Sequence, residues 1–137
     1  MQRKLVLAAA IIAALGAAAL VGCVASSKSA TSSAAYRQVS QQEAQAMMQS
    51  ENGYVIVDVR RPDEFASGHI PDAINIPNES INETRPAELP DLKQLIMVYC
   101  RSGNRSKQAA RKLADMGYTN IVEFGGINTW PGEIVTD

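Results

Sequence analysis

The feature that most restricts how this chain folds is a join. Leu95-Ile96-Met97-Val98-Tyr99 is an apolar run that passes without a break into Cys100-Arg101-Ser102-Gly103-Asn104-Arg105-Ser106, and an amphipathic pattern starts directly behind it. From Ser106 to Met116, Ala109, Ala110, Leu113 and Met116 share one face of a helix, while Lys107, Gln108, Arg111, Lys112 and Asp115 take the other. Gly117 suits the residue just past the helix end. A buried strand turning straight into a helix is a building unit of α/β folds.

The rest of the chain repeats that alternation. Ser40-Gln41-Gln42-Glu43 is a capping box, and Ala44, Met47 and Met48 give the helix behind it an apolar stripe. Tyr54 to Val59 reads as a buried strand, and Pro62-Asp63-Glu64-Phe65 opens a short helix that Gly68 ends. Ala73-Ile74-Asn75-Ile76 is a second short strand stopped by Pro77, and residues 78–90 read as a loop with at most one helical turn. Ile121-Val122-Glu123-Phe124 is a last strand, followed by Gly125-Gly126 and a turn carrying Trp130. Strands alternating with helices imply an α/β domain with a mainly parallel sheet.

The N-terminus is different in kind. Leu5 to Ser27 carries no charge, and Arg3 and Lys4 precede it. This is the pattern of a secretory signal, with an uncleaved membrane anchor as the other reading. Leu20-Val21-Gly22-Cys23 resembles a bacterial lipobox. That resemblance implies cleavage before Cys23, lipidation of its sulfur and an exported protein held to a bacterial membrane in the cell envelope or periplasm. The Ser/Ala-rich stretch that follows suits a flexible tether. The expected organisation is a signal peptide over 1–22, a tether over 23–35 and a folded domain over 36–137. Net charge is −1, and about −3 without Arg3 and Lys4, so nucleic-acid binding is not expected.

The chain has two cysteines. Acylation of Cys23 would leave Cys100 as a lone thiol outside the cytoplasm, either incidental or working. Its loop lies where ligands bind in parallel α/β sheets, beyond the carboxyl end of a strand. A tight curl into a helix N-terminus turns backbone N–H groups inward as an anion nest, and Gly103 permits that curl. Arg105 adds a cation, so a thiol here is expected to have a depressed pKa. The plain alternatives are a buried, inert Cys100 and a solvated Arg101.

These residues resemble the active-site loop of single-domain rhodaneses. Asp58-Val59-Arg60, Glu64-Phe65, Gly68-His69-Ile70-Pro71, Ala73-Ile74-Asn75-Ile76-Pro77 and Gly125-Gly126-Ile127 with Trp130 resemble the family's flanking signatures in order and spacing, from about Tyr36 to Ile134. Asp72 stands where the family commonly has Gly, and a local turn effect is expected there. The resemblance implies a five-stranded, mainly parallel sheet flanked by helices. It also implies a ping-pong sulfurtransferase that carries a persulfide on Cys100, with thiosulfate as donor and cyanide or a thiol as acceptor. Arg101, Ser102, Gly103, Asn104, Arg105 and Ser106 would bind the substrate, with Arg105 holding the oxyanion. Asp58 and Arg60 would brace the loop, His69 would be structural, and Trp130 would belong to the core or to a pocket wall. With one His and one free Cys, neither a metal nor another cofactor is expected.

Two rivals remain at this level. Phosphatases and arsenate reductases also use a loop Cys and Arg, but with five intervening residues where Cys100 and Arg105 have four. A persulfide carrier or protein-binding module needs the same thiolate as an enzyme does, so the motif does not separate them.

Overall fold

The computed structural model describes residues 35–137, so the export signal, Cys23 and nearly all of the tether lie outside the described residues. In chain order the elements are β1 (Arg37–Gln38), α1 (Gln41–Ser50), β2 (Val55–Asp58), α2 (Pro62–Ala66), β3 (Ile74–Asn75), β4 (Ile96–Cys100), α3 (Asn104–Asp115) and β5 (Ile121–Gly126). Single 3₁₀ turns occupy Asn78–Ser80 and Ile127–Thr129. The sheet runs β1-β5-β4-β2-β3, and every neighbouring pair is parallel. The two-residue strand β1, which the sequence pattern does not announce, forms the edge beside β5.

Alternation along the strands divides the core into two layers. Val57, Val59, Ile96, Val98, Cys100 and Ile121 face α3, where Ala109, Ala110 and Leu113 meet them. Ile56, Met97, Tyr99, Val122 and Phe124 face the opposite side, against Ala44 with Met47 and Met48 of α1. Burial on both faces explains why β2 and β4 read as continuous apolar runs. Ser40 caps α1 as the sequence implies, its hydroxyl accepting the Glu43 amide at 3.1 Å, while the reciprocal half of the box is not formed. The polar face of α3 is exposed as its pattern suggests except at Lys112, which is half-buried: its Nζ donates to Asn78 O at 2.9 Å, while Asn78 Nδ2 donates to the exposed Gln108. Residues 78–90 hold no long helix, yet Ile81 and Leu89 are fully buried under the α3 layer.

An irregularity in β5 matters for the site. Val98 pairs with Glu123 but Cys100 pairs with Gly126, so β5 carries one extra residue. Gly125, at φ 91°, absorbs it. Such a bulge re-aims the strand locally, here at the level of Cys100.

Asp72 follows Pro71 in a turn closed by the Ala73 amide on Ile70 O at 3.1 Å, and its φ is 65°. Left-handed backbone penalises a Cβ, so the effect of a non-glycine here is local, as the sequence suggests. Asp72→Gly is expected to raise stability by about 0.5–1 kcal/mol, since Asp tolerates this region better than most residues. Urea unfolding checks this; equal or lower stability would contradict it.

Candidate active site

β4 delivers Cys100 to the carboxyl edge of the sheet, and α3 begins four residues later. The curl between them relies on two glycines. Gly103, at φ 106°, caps α3 in a left-handed conformation. Gly126 lies so close beneath the loop that a Cβ there would collide with the Arg101 carbonyl and the Ser102 amide. The Asn128 amide also donates to Arg101 O at 3.2 Å, tying the loop to the turn after β5.

Within this curl Cys100 is 1% exposed. Its Sγ accepts the Gly103 amide at 3.0 Å and lies 3.4 Å from Ser106 Oγ. Burial pushes the thiol up, but the Ser106 hydroxyl and the amides of Ser106, Gly103 and Ser102 outweigh it, so the net shift is downward. Of the candidate binding residues, Gly103 and Ser106 are buried beside the sulfur, whereas Arg101, Ser102 and Asn104 are exposed on the outside of the curl.

Arg105 is fixed from a direction the loop sequence does not reveal. Its Nη1 and Nη2 donate to Glu64 of α2 at 2.7 and 3.0 Å, a two-point ion pair. The Arg105 guanidinium holds the Glu64 carboxyl at about 2, and Glu64 also accepts the Arg61 amide that starts α2. Glu64 thus joins the first helix turn of α2 to that of α3.

Asp58 and Arg60 do not reach the loop directly. Their buried ion pair (2.6 Å) spends its remaining bonds elsewhere: Arg60 Nη2 donates to Gly68 O, and Asp58 Oδ2 accepts the Tyr99 hydroxyl at 2.7 Å. The Tyr99 oxygen in turn accepts the Ile70 amide. Their bracing of Cys100 is therefore indirect, through the residue before it and the Gly68–Ile70 turn. His69 stacks on Phe65 at 3.8 Å, with Nδ1 3.0 Å from Phe65 O, and its backbone bridges to Val135. Trp130 packs on Phe124 and helps wall a cavity of about 250 Å³ on the α1 side of the sheet.

Sequence reasoning missed two acidic residues as parts of the site. Glu64 appears there only inside a signature. Glu123 appears as a strand residue, although a lone charge among Ile121, Val122 and Phe124 was the available signal. It is 3% exposed, and its Oε1 accepts the Ser106 hydroxyl at 2.6 Å.

Known proteins share this fold. The family model of the rhodanese-like domain matches residues 40–133. The thiosulfate sulfurtransferase PspE of Escherichia coli (strain K12) is 38% identical over 71 residues, 52% of this chain and 68% of that protein. The thiosulfate sulfurtransferase GlpE of Pseudomonas syringae pv. syringae is 37% identical over 97 residues, 69% of this chain and 87% of that protein. Among solved structures, a rhodanese with anions from E. coli superimposes with a TM-score of 0.57 at 33% identity, covering 61% of this chain and 99% of that one. A match over most of the described domain, together with the Cys100 loop at the carboxyl edge of a five-stranded parallel sheet, makes this chain a member of the rhodanese-like family of sulfurtransferases.

Proposed function

We propose that this protein moves a sulfane sulfur from thiosulfate, or a donor of like chemistry, to a thiophilic acceptor through a persulfide on Cys100. The observation that carries the reading is the seat of the sulfur, a buried thiol with its pKa lowered by loop amides and the Ser106 hydroxyl. The thiolate attacks the outer sulfur of thiosulfate, the S–S bond breaks, and sulfite leaves with the bonding pair. Cyanide or a thiol then takes the outer sulfur of the persulfide and returns the thiolate. The same inward donors stabilise negative charge on either sulfur, with no reorganisation needed during reaction. The rhodanese from E. coli was solved with anions, which agrees with an anionic donor. Arg105, held rigid by Glu64, is the cation we assign to the sulfonate oxygens, with Arg101, Ser102 and Asn104 at the mouth of the loop.

With thiosulfate and cyanide the protein is expected to form thiocyanate, and Cys100→Ser to form none. Mass spectrometry after thiosulfate alone should find Cys100 heavier by one sulfur atom. No adduct and no thiocyanate would sink the sulfur-transfer reading, and an adduct without turnover would make the protein a carrier. Arg105→Ala is expected to raise the KM for thiosulfate about tenfold or more, the size of a lost charge-assisted hydrogen bond. An unchanged KM would remove Arg105 from donor binding.

We also propose that the domain works at a bacterial membrane, tethered by lipid on Cys23. The support is the charged start, the uncharged run and the Leu20-Val21-Gly22-Cys23 motif. Several acyl chains anchor stably, each buried CH₂ contributing about 0.8 kcal/mol. Cys23→Ala should therefore shift the protein out of the membrane fraction or block its processing. Fractionation and processing identical to wild type would refute the tether.

A further inference from the structure

The persulfide scheme leaves the Cys100 thiol proton without a destination, and the structure holds a buried carboxylate in line with it. Glu123 faces the α3 side of β5, because its neighbours Val122 and Phe124 belong to the opposite apolar layer. Its Oε1 accepts the Ser106 hydroxyl at 2.6 Å and the Gly125 amide at 2.9 Å. Ser106 Oγ lies 3.4 Å from Cys100 Sγ, so sulfur, hydroxyl and carboxylate form one unbroken line. The Gly103 carbonyl, at 2.9 Å, competes for the single Ser106 proton. The bond to the carboxylate is shorter, and hydrogen bonds to charged acceptors are the stronger kind.

We propose that Glu123 receives the Cys100 thiol proton through Ser106. The S–H bond breaks as its proton passes to Ser106 Oγ, while the Ser106 O–H proton passes to Glu123 Oε1. The result is a Cys100 thiolate that accepts from the Ser106 hydroxyl, and a neutral Glu123 carboxyl that donates to Ser106 Oγ. Nothing is oxidised or reduced, and the net charge of the trio does not change. The reverse transfer reprotonates Cys100 after the persulfide has given up its sulfur. Glu123 touches no reacting atom and acts only through Ser106.

A thiolate and a carboxylate buried on either side of one hydroxyl repel each other, so the pair holds one proton between them. The loop amides, with Gly103 N 3.0 Å from Sγ, favour the charge on sulfur. Water has little access to Cys100, which is 1% exposed. Around the trio, Lys107 lines the same cavity as Glu123, and Arg105 is near enough to interact with the Cys100 charge. Gln38, Gln41 and Gln42, from the β1–α1 side of that cavity, are neutral and offer no competing base.

The inference rests on the sulfurtransferase reading only for its place in turnover, so its test reads Cys100 alkylation, which needs no sulfur donor. On the full chain, iodoacetamide labelling of the Cys100 peptide is followed by mass spectrometry as a function of pH. A proton moving within the trio leaves the thiolate fraction independent of pH, so the wild-type rate should be flat from about pH 6 to 8. In Glu123→Gln the proton must leave to solvent, so the rate should climb about tenfold per pH unit below the thiol midpoint. A wild-type rate that already climbs in this way, or a flat region that survives the substitution, would overturn the proposal. If Glu123→Gln does not fold, infrared spectroscopy of wild type decides instead. A protonated-carboxyl stretch at neutral pH that disappears on alkylation of Cys100 is expected, and its absence would refute the relay.

Discussion

The close approach of the Arg101–Ser102 backbone to Gly126 is the contact on which the carboxyl edge of this sheet depends. Only a residue without a Cβ lets the loop lie directly on β5. The bulge at Gly125 brings Gly126, rather than a side chain, opposite Cys100. With the loop pressed down, its amides turn toward the sulfur, and α3 starts with Ser106 already against Sγ. The geometry that lowers the thiol pKa is thus a consequence of backbone packing between two strands.

Around that contact the charges are arranged in three separate units. Asp58, Arg60 and Tyr99 hold the turn at Gly68–Ile70 to the end of β4. Glu64 and Arg105 join α2 to α3. Glu123 and Ser106 support the sulfur from below. Each carboxylate is matched by donors, as burial requires: an unpaired ion in this interior would be strongly destabilising. The separation also gives each unit its own effect, since Arg105 is held charged at the loop while the thiolate is served by neutral donors.

Much of this was legible in the residues. The runs at 54–59 and 95–99, the capping box at Ser40 and the amphipathic stripe through Leu113 announce their elements because burial on a fixed period leaves a readable pattern. Strand β1 left no such pattern: two exposed residues, Arg37 and Gln38, pair through their backbone alone. Lys112 reads as solvent-facing, yet it is half-buried against Asn78, about thirty residues earlier in sequence.

By itself the sequence determined the class of fold, the family and the nucleophile candidate, because strand–loop–helix order and the Cys100–Ser106 spacing are local properties of the chain. Tertiary structure alone decided which groups surround that thiol. Glu64 and Glu123 lie 36 positions before and 23 positions after Cys100 and reach the loop only through α2 packing and strand pairing. It likewise decided that Asp58 and Arg60 act one residue removed from the loop. Partners of this kind are set by which strands neighbour one another in the sheet, and no periodicity along the chain encodes a contact between two strands.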